Sequence, residues 1–150
     1  MLGYFPSENL QHNLCEALRL IKAHNLKSFN RFISNKLNIS YRREHISVEK
    51  GIALLKYFGA TVILAHPVLL PRQHFKDIAS LGFDGIEAKY FSNSRADTDF
   101  FINYAVSHHM IYTAGSDFHR NTELYRAHGN IGDVFLNSDE INTFLNHLYR

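Results

Sequence analysis

Two short apolar runs end abruptly in side chains of metal-binding type. Thr61-Val-Ile-Leu-Ala-His-Pro67 ends in His66, and the run beginning at Ile111 leads into Thr113-Ala-Gly-Ser-Asp-Phe-His119, which carries Asp117 and His119. Asp117 and His119 are two residues apart, so an extended chain points both to the same side. Pro67 limits continuation of the first run as a central strand. The C-terminal tips of parallel strands are where α/β barrels assemble active sites. Imidazole and carboxylate together suit zinc, manganese or iron, and the sequence does not choose among them. The plainer alternative makes His66 the cap of a core strand and Asp117 the start of a turn. Two such strand ends in one chain favour a metal centre.

The elements needed to position these residues are legible as an alternation. Ser47 starts a helix with Val48, Ile52, Leu55 and Phe58 inward, ending at Gly59. The strand Thr61–Ala65 follows, then a helix from about Arg72 to Leu81 that stops at Gly82, a glycine C-cap signal. The strand Gly85–Tyr90, a helix of about Asp97 to His108 and the strand Ile111–Ala114 come next. Gly132–Leu136 reads as one more strand, before a Ser138-capped terminal helix with Glu140 in its first turn. Strands alternating with helices predict parallel βα units. Upstream, Leu10, Leu14, Ala17, Leu18 and Ile21 share one helical stripe, with Ser7 as its cap. A second short helix covers about Ser28 to Leu37. We therefore expect a single domain over 1–150, with a helical insertion in 1–44 and βα units in 45–150.

At 150 residues and 45% hydrophobic content the chain can bury one core. It is shorter than the ~250 residues typical of an eight-unit barrel. A net charge of +2 with 20% charged residues does not coat nucleic acid, so any polyanion contact would be local. The single Cys15 excludes an internal disulfide, fits a reducing compartment and reads as a buried apolar helix residue. There is no basic segment followed by an apolar one and no long apolar run. The expectation is a cytoplasmic protein without a membrane partner.

Ala65-His66-Pro67, Gly82-Phe-Asp-Gly-Ile-Glu87 and Gly115-Ser-Asp-Phe-His119, in that order and spacing, resemble the C-terminal half of the PHP (polymerase and histidinol phosphatase) superfamily. The likeness runs from Leu2 to about Leu136 and is nearest to the stand-alone metal-dependent phosphoesterases of that family. Leu2-Gly-Tyr-Phe5 resembles the family segment that directly follows a ligand histidine. The resemblance implies a partial PHP-type (β/α) barrel with parallel strands and an N-terminal helical insertion. It also implies hydrolysis of nucleotide or short oligonucleotide phosphates with divalent metal ions. His66, Asp117 and His119 would each serve a different metal of a three-metal site. Asp117 would also orient the attacking water, and bound metals would activate that water and neutralise phosphate charge. The family's N-terminal His-x-His-x-x-x-Ser-Asp-Gly signature and its bridging glutamate have no counterpart in this sequence. The resemblance thus implies the C-terminal part of such an enzyme, incomplete as this chain. The alternatives are a non-catalytic PHP-fold remnant or interaction module, and an unrelated barrel hydrolase using His66 and Asp117 with other partners.

Further residues are weaker candidates. Arg43-Glu-His-Ile46 resembles the family's Arg-x-His stretch, so Arg43 or His45 would hold a substrate phosphate; a solvated basic turn beside Arg42 is the alternative. Glu87 is expected behind the ligands or at the surface. His108 and His109 close a helix and complement its dipole. His128-Gly129 follows the Asp-Phe-His tip and would border a substrate mouth. His12, His24, His74 and His147 lack partner spacing and read as surface residues. Ser116 reads as a turn serine, because no nucleophile elbow surrounds it. If the first barrel units are missing, a strand edge stays open at Thr61–Ala65 or at whichever strand pairs outward from it. A homodimer through that edge, a missing N-terminal segment, or cover by the helices of residues 7–37 would then be expected.

Overall fold

The computed structural model describes residues 1–4, 19, 27, 28, 31, 47–119 and 128–149. Cys15, Arg43, His45 and most of the expected helices between Ser7 and Leu37 lie outside these residues; Arg19, Lys27, Ser28 and Arg31 are helical. The chain divides into two compact units, Gly3–Val62 and Met1–Leu2 with Ile63–Arg150.

In the unit Gly3–Val62, helix α1 spans Val48–Tyr57. The Ser47 side chain caps it by accepting from the Lys50 N–H at 3.4 Å. Ile52 and Phe58 are buried, and Val48 and Leu55 are half-buried, which is the expected inward stripe. Gly59 adopts a left-handed φ of 80° and ends the helix.

The strands are β1 (Leu2–Tyr4), β2 (Thr61–Leu64), β3 (Gly85–Tyr90) and β4 (Ile111–Gly115), ordered β1-β2-β3-β4 in one sheet. It is β1, then, that pairs outward from β2. Strands β2 and β3 run parallel, Ile63 opposite Gly85 and Leu64 opposite Ile86. Strands β3 and β4 are also parallel, Ile86 opposite Tyr112, but Lys89 opposite Ala114 and Tyr90 opposite Gly115. Three steps along β3 match two along β4, so β3 holds one extra residue, a bulge.

With helices α2 (Arg72–Ala79), α3 (Arg95–Ser107) and α4 (Ser138–Leu148), the fold is mixed α/β. Its core includes Ile63, Ile86, Phe75 and Phe101, all nearly inaccessible. The Phe75 and Phe101 rings meet edge-on at 5.1 Å, which joins α2 to α3. Helix α3 starts two residues earlier than expected, because Ser94 and Asp97 form a capping box. Helix α4 is capped by Asn137 rather than Ser138, with Glu140 closing a second capping box. Gly132–Leu136 is not a strand. It is a turn in which Gly132 takes φ 90° and Asp133 accepts from the Asn130 N–H at 2.7 Å. Its apolar residues Val134, Phe135 and Leu136 are half-buried or exposed rather than set in the sheet.

Candidate functional site

His66, Glu87, Tyr90, Asp117, His119 and His128 all belong to the unit Ile63–Arg150 and gather at the C-terminal ends of β2, β3 and β4. His66 follows β2 in a left-handed conformation, φ 33° and ψ 58°, and caps a short 3-10 turn, Pro67–Leu69. Asp117 is also left-handed, with φ 54°. For side chains other than glycine this backbone costs on the order of 1–3 kcal/mol and persists where neighbours hold it in place. His66 has such a neighbour: its N–H donates to Glu87 Oε2 at 2.8 Å.

Asp117 and His119 are not aligned by strand alternation, because β4 ends at Gly115 and Asp117 is left-handed. A turn brings them together instead. His119 Nδ1 lies 2.5 Å from the Asp117 carbonyl oxygen and 3.7 Å from Asp117 Oδ1. The His119 side chain is largely exposed, at 69%, and that of Asp117 is 37% exposed.

Tyr90 links the two strand tips. Its ring centroid lies 5.7 Å from that of His66, and its hydroxyl donates to Asp117 Oδ2 at 2.9 Å. Burial, then the hydrogen bond to Asp117, push the Tyr90 hydroxyl up to about 12, so it remains a protonated donor at neutral pH. Glu87 is buried, at 6% exposure. Burial pushes its carboxyl above the ordinary 4.5, a shift the His66 N–H opposes. A Cβ on residue 115 would overlap Glu87 Oε1, so glycine at the end of β4 leaves room for that carboxylate. Glu87 is therefore not a surface residue but lies beneath the strand tips.

The segment carrying His128 returns to this site. The Gly129 N–H donates to the Ser116 carbonyl at 2.7 Å, and the His128 ring lies 5.9 Å from that of His119 and 5.5 Å from that of Phe118. The other described histidines stand apart. His108 stacks on Tyr104 at 3.9 Å at the end of α3, His74 is exposed on α2, and His147 lies in the last turn of α4. A cavity of about 310 Å³ between α3 and α4 is lined by Met110, Ile111, Tyr112 and Phe144 among others, and includes none of the site residues.

The donors are of the right chemistry for a divalent ion, imidazole and carboxylate. Among the described residues, however, no three His, Cys, Asp or Glu side chains converge to hold one. The described residues do not by themselves fit a bound metal, and Arg43 and His45 lie outside them. Tyr90 had no signal in residue type or spacing; only the register of β3 against β4 brings it in.

The fold is similar to that of a protein described as a "putative metal-dependent phosphoesterase" from Bifidobacterium adolescentis, with a TM-score of 0.55 and 22% identity. The match covers 87% of this chain and 48% of that one, so the chain spans about half the length of the protein it matches. At this identity the likeness is one of fold. No family model matches the sequence, and no curated protein matches it. Among the described residues no helix is long and apolar enough to cross a membrane.

Proposed function

We propose that the chain forms the C-terminal part of a PHP-type metal-dependent phosphoesterase site, acting on nucleotide or short oligonucleotide phosphates. The observation that carries this reading is the linkage of His66 and Asp117 through Tyr90 at the ends of adjacent strands. The fold likeness to a protein named for metal-dependent phosphoester chemistry supports it. In this reading His66, Asp117 and His119 are donors to zinc, manganese or iron. Arg43 and His45 would hold the substrate phosphate. Further donors come from outside the described residues, in an N-terminal segment or a second chain. The parallel strands would belong to a PHP-type barrel, in a cytoplasmic protein.

The test is hydrolysis of a 5′-nucleotide and a dinucleotide by the full chain with manganese or zinc. It is run with and without the family's His-x-His segment supplied as a separate chain. Activity is expected with the segment present, and Asp117→Ala or His119→Ala should abolish it. His74→Ala should leave it nearly unchanged. An active complex indifferent to Asp117→Ala would sink the assignment. No hydrolysis in any combination would favour a non-catalytic PHP-fold module.

A further inference from the structure

The geometry points to β3 as the strand that sets the site: Glu87 and Tyr90 are positioning residues, one holding His66 and the other Asp117, and the extra residue in β3 lets both face the strand tips. This inference rests on the proposed reading of His66 and Asp117 as donors.

Strict alternation from Glu87 would put Lys89 on the face of Glu87 and Tyr90 on the opposite face. The register shift between Ile86 and Lys89 reverses that. Lys89 instead bonds Glu140 on α4 at 2.6 Å, and Tyr90 shares a face with Glu87 and Gly115. Bulges re-aim side chains in this way, and they are frequent beside active sites.

Glu87 acts on the tip of β2, and Tyr90 on the tips of both β2 and β4. Glu87 accepts from the His66 N–H and so holds a left-handed backbone that has no glycine to ease it. Gly115 leaves room for the carboxylate. Tyr90 packs its ring against the His66 imidazole and fixes one Asp117 oxygen with its hydroxyl, leaving Oδ1 toward His119. Both are nearly inaccessible, at 6% exposure each, so neither is placed to touch a substrate.

The experiment uses the full chain and its Glu87→Gln, Glu87→Ala and Tyr90→Phe variants. Amide hydrogen exchange and backbone resonances are read by NMR. Glu87→Ala should speed exchange at the His66 amide about tenfold relative to β3 amides, whereas Glu87→Gln, which retains an acceptor oxygen, should not. Tyr90→Phe should shift Asp117 resonances and leave those of α2 unmoved. Unchanged His66 exchange in Glu87→Ala together with unmoved Asp117 in Tyr90→Phe would overturn the inference. Failure of the donor reading itself is read separately, by the hydrolysis test on Asp117→Ala. The NMR measurements then decide the positioning roles alone.

Discussion

Lys89 and Tyr90 divide the two faces of β3 between them. Lys89 Nζ meets Glu140 Oε2 at 2.6 Å and holds α4, while the Tyr90 hydroxyl meets Asp117 Oδ2 at 2.9 Å and holds the site. One inserted residue thus couples the seating of a helix to the geometry of a strand tip. A substitution that slipped this register would disturb both.

Glu140 should show this coupling in its pH dependence. Burial pushes its carboxyl up, but the bonds from Lys89, the Asn137 N–H and the Tyr112 hydroxyl outweigh it, and the carboxyl ends below the ordinary 4.5. A lowered acid contributes stability that is complete above the unfolded value and is lost as pH falls through the folded one. Glu140→Gln is expected to cost about 1–3 kcal/mol at neutral pH. That difference should shrink as pH falls below 4.5. Urea unfolding of both proteins near pH 7 and near pH 3 checks this. A gap independent of pH would contradict it.

Two glycines of β3 and β4 should respond differently to alanine. A Cβ at Gly85 would overlap the Ile111 backbone carbonyl, which cannot rotate away. A Cβ at Gly115 would overlap only the end of the Glu87 side chain. Gly85→Ala should therefore cost about 3 kcal/mol, and Gly115→Ala about 1–2 kcal/mol. The Gly115→Ala cost should fall in a Glu87→Ala background, because the clash is with that side chain. Denaturant unfolding of the four variants reads the coupling, and strict additivity would refute the proposed contact.

Thr113 offers a stabilising change. It is buried at 4% exposure, and its hydroxyl oxygen has no hydrogen-bond partner among the described residues. Valine has nearly the same shape and no hydroxyl to desolvate. Thr113→Val should raise stability by about 1 kcal/mol, seen as a higher denaturant midpoint at unchanged slope. A loss of stability would mean that the hydroxyl is satisfied in solution.

What the sequence made legible was what short-range chemistry controls. Gly59 marked a helix end because a left-handed residue there needs no neighbour to explain it, whereas α2 stops at Ala79, short of the expected Leu81 and Gly82. The limits Gly85–Tyr90 of β3 followed from apolar content and flanking glycine. His66, Asp117 and His119 stood out as metal-binding types at strand ends. The start of α3 is also written in the sequence, through Ser94 and Asp97 three residues apart. The bulge was not readable. Gly-Ile-Glu-Ala-Lys-Tyr has no strict alternation to violate, and the insertion is defined only by pairing with β4. The burial of Glu87 and the role of Tyr90 follow from that pairing, so neither could be read from spacing.

Metal stoichiometry tests how much of the site this chain holds. The described residues bring no three donors together, whereas a tightly held catalytic ion normally has three or more protein ligands. The isolated chain should therefore bind zinc or manganese weakly and retain fewer than three ions after dialysis. Asp117 and His119 lie close to one another, at 3.7 Å between Oδ1 and Nδ1. Asp117→Ala and His119→Ala should each weaken the remaining zinc affinity about tenfold or more. His74→Ala should not, because His74 stands exposed on α2 with its ring beside Gln73. Elemental analysis of dialysed protein and a zinc titration of the three variants make the measurement. Three tightly held ions per chain would require donors from residues outside those described or from a second copy. In that event, light scattering across a concentration series separates the two: a monomer places the missing donors within the chain, and a dimer places them across an interface.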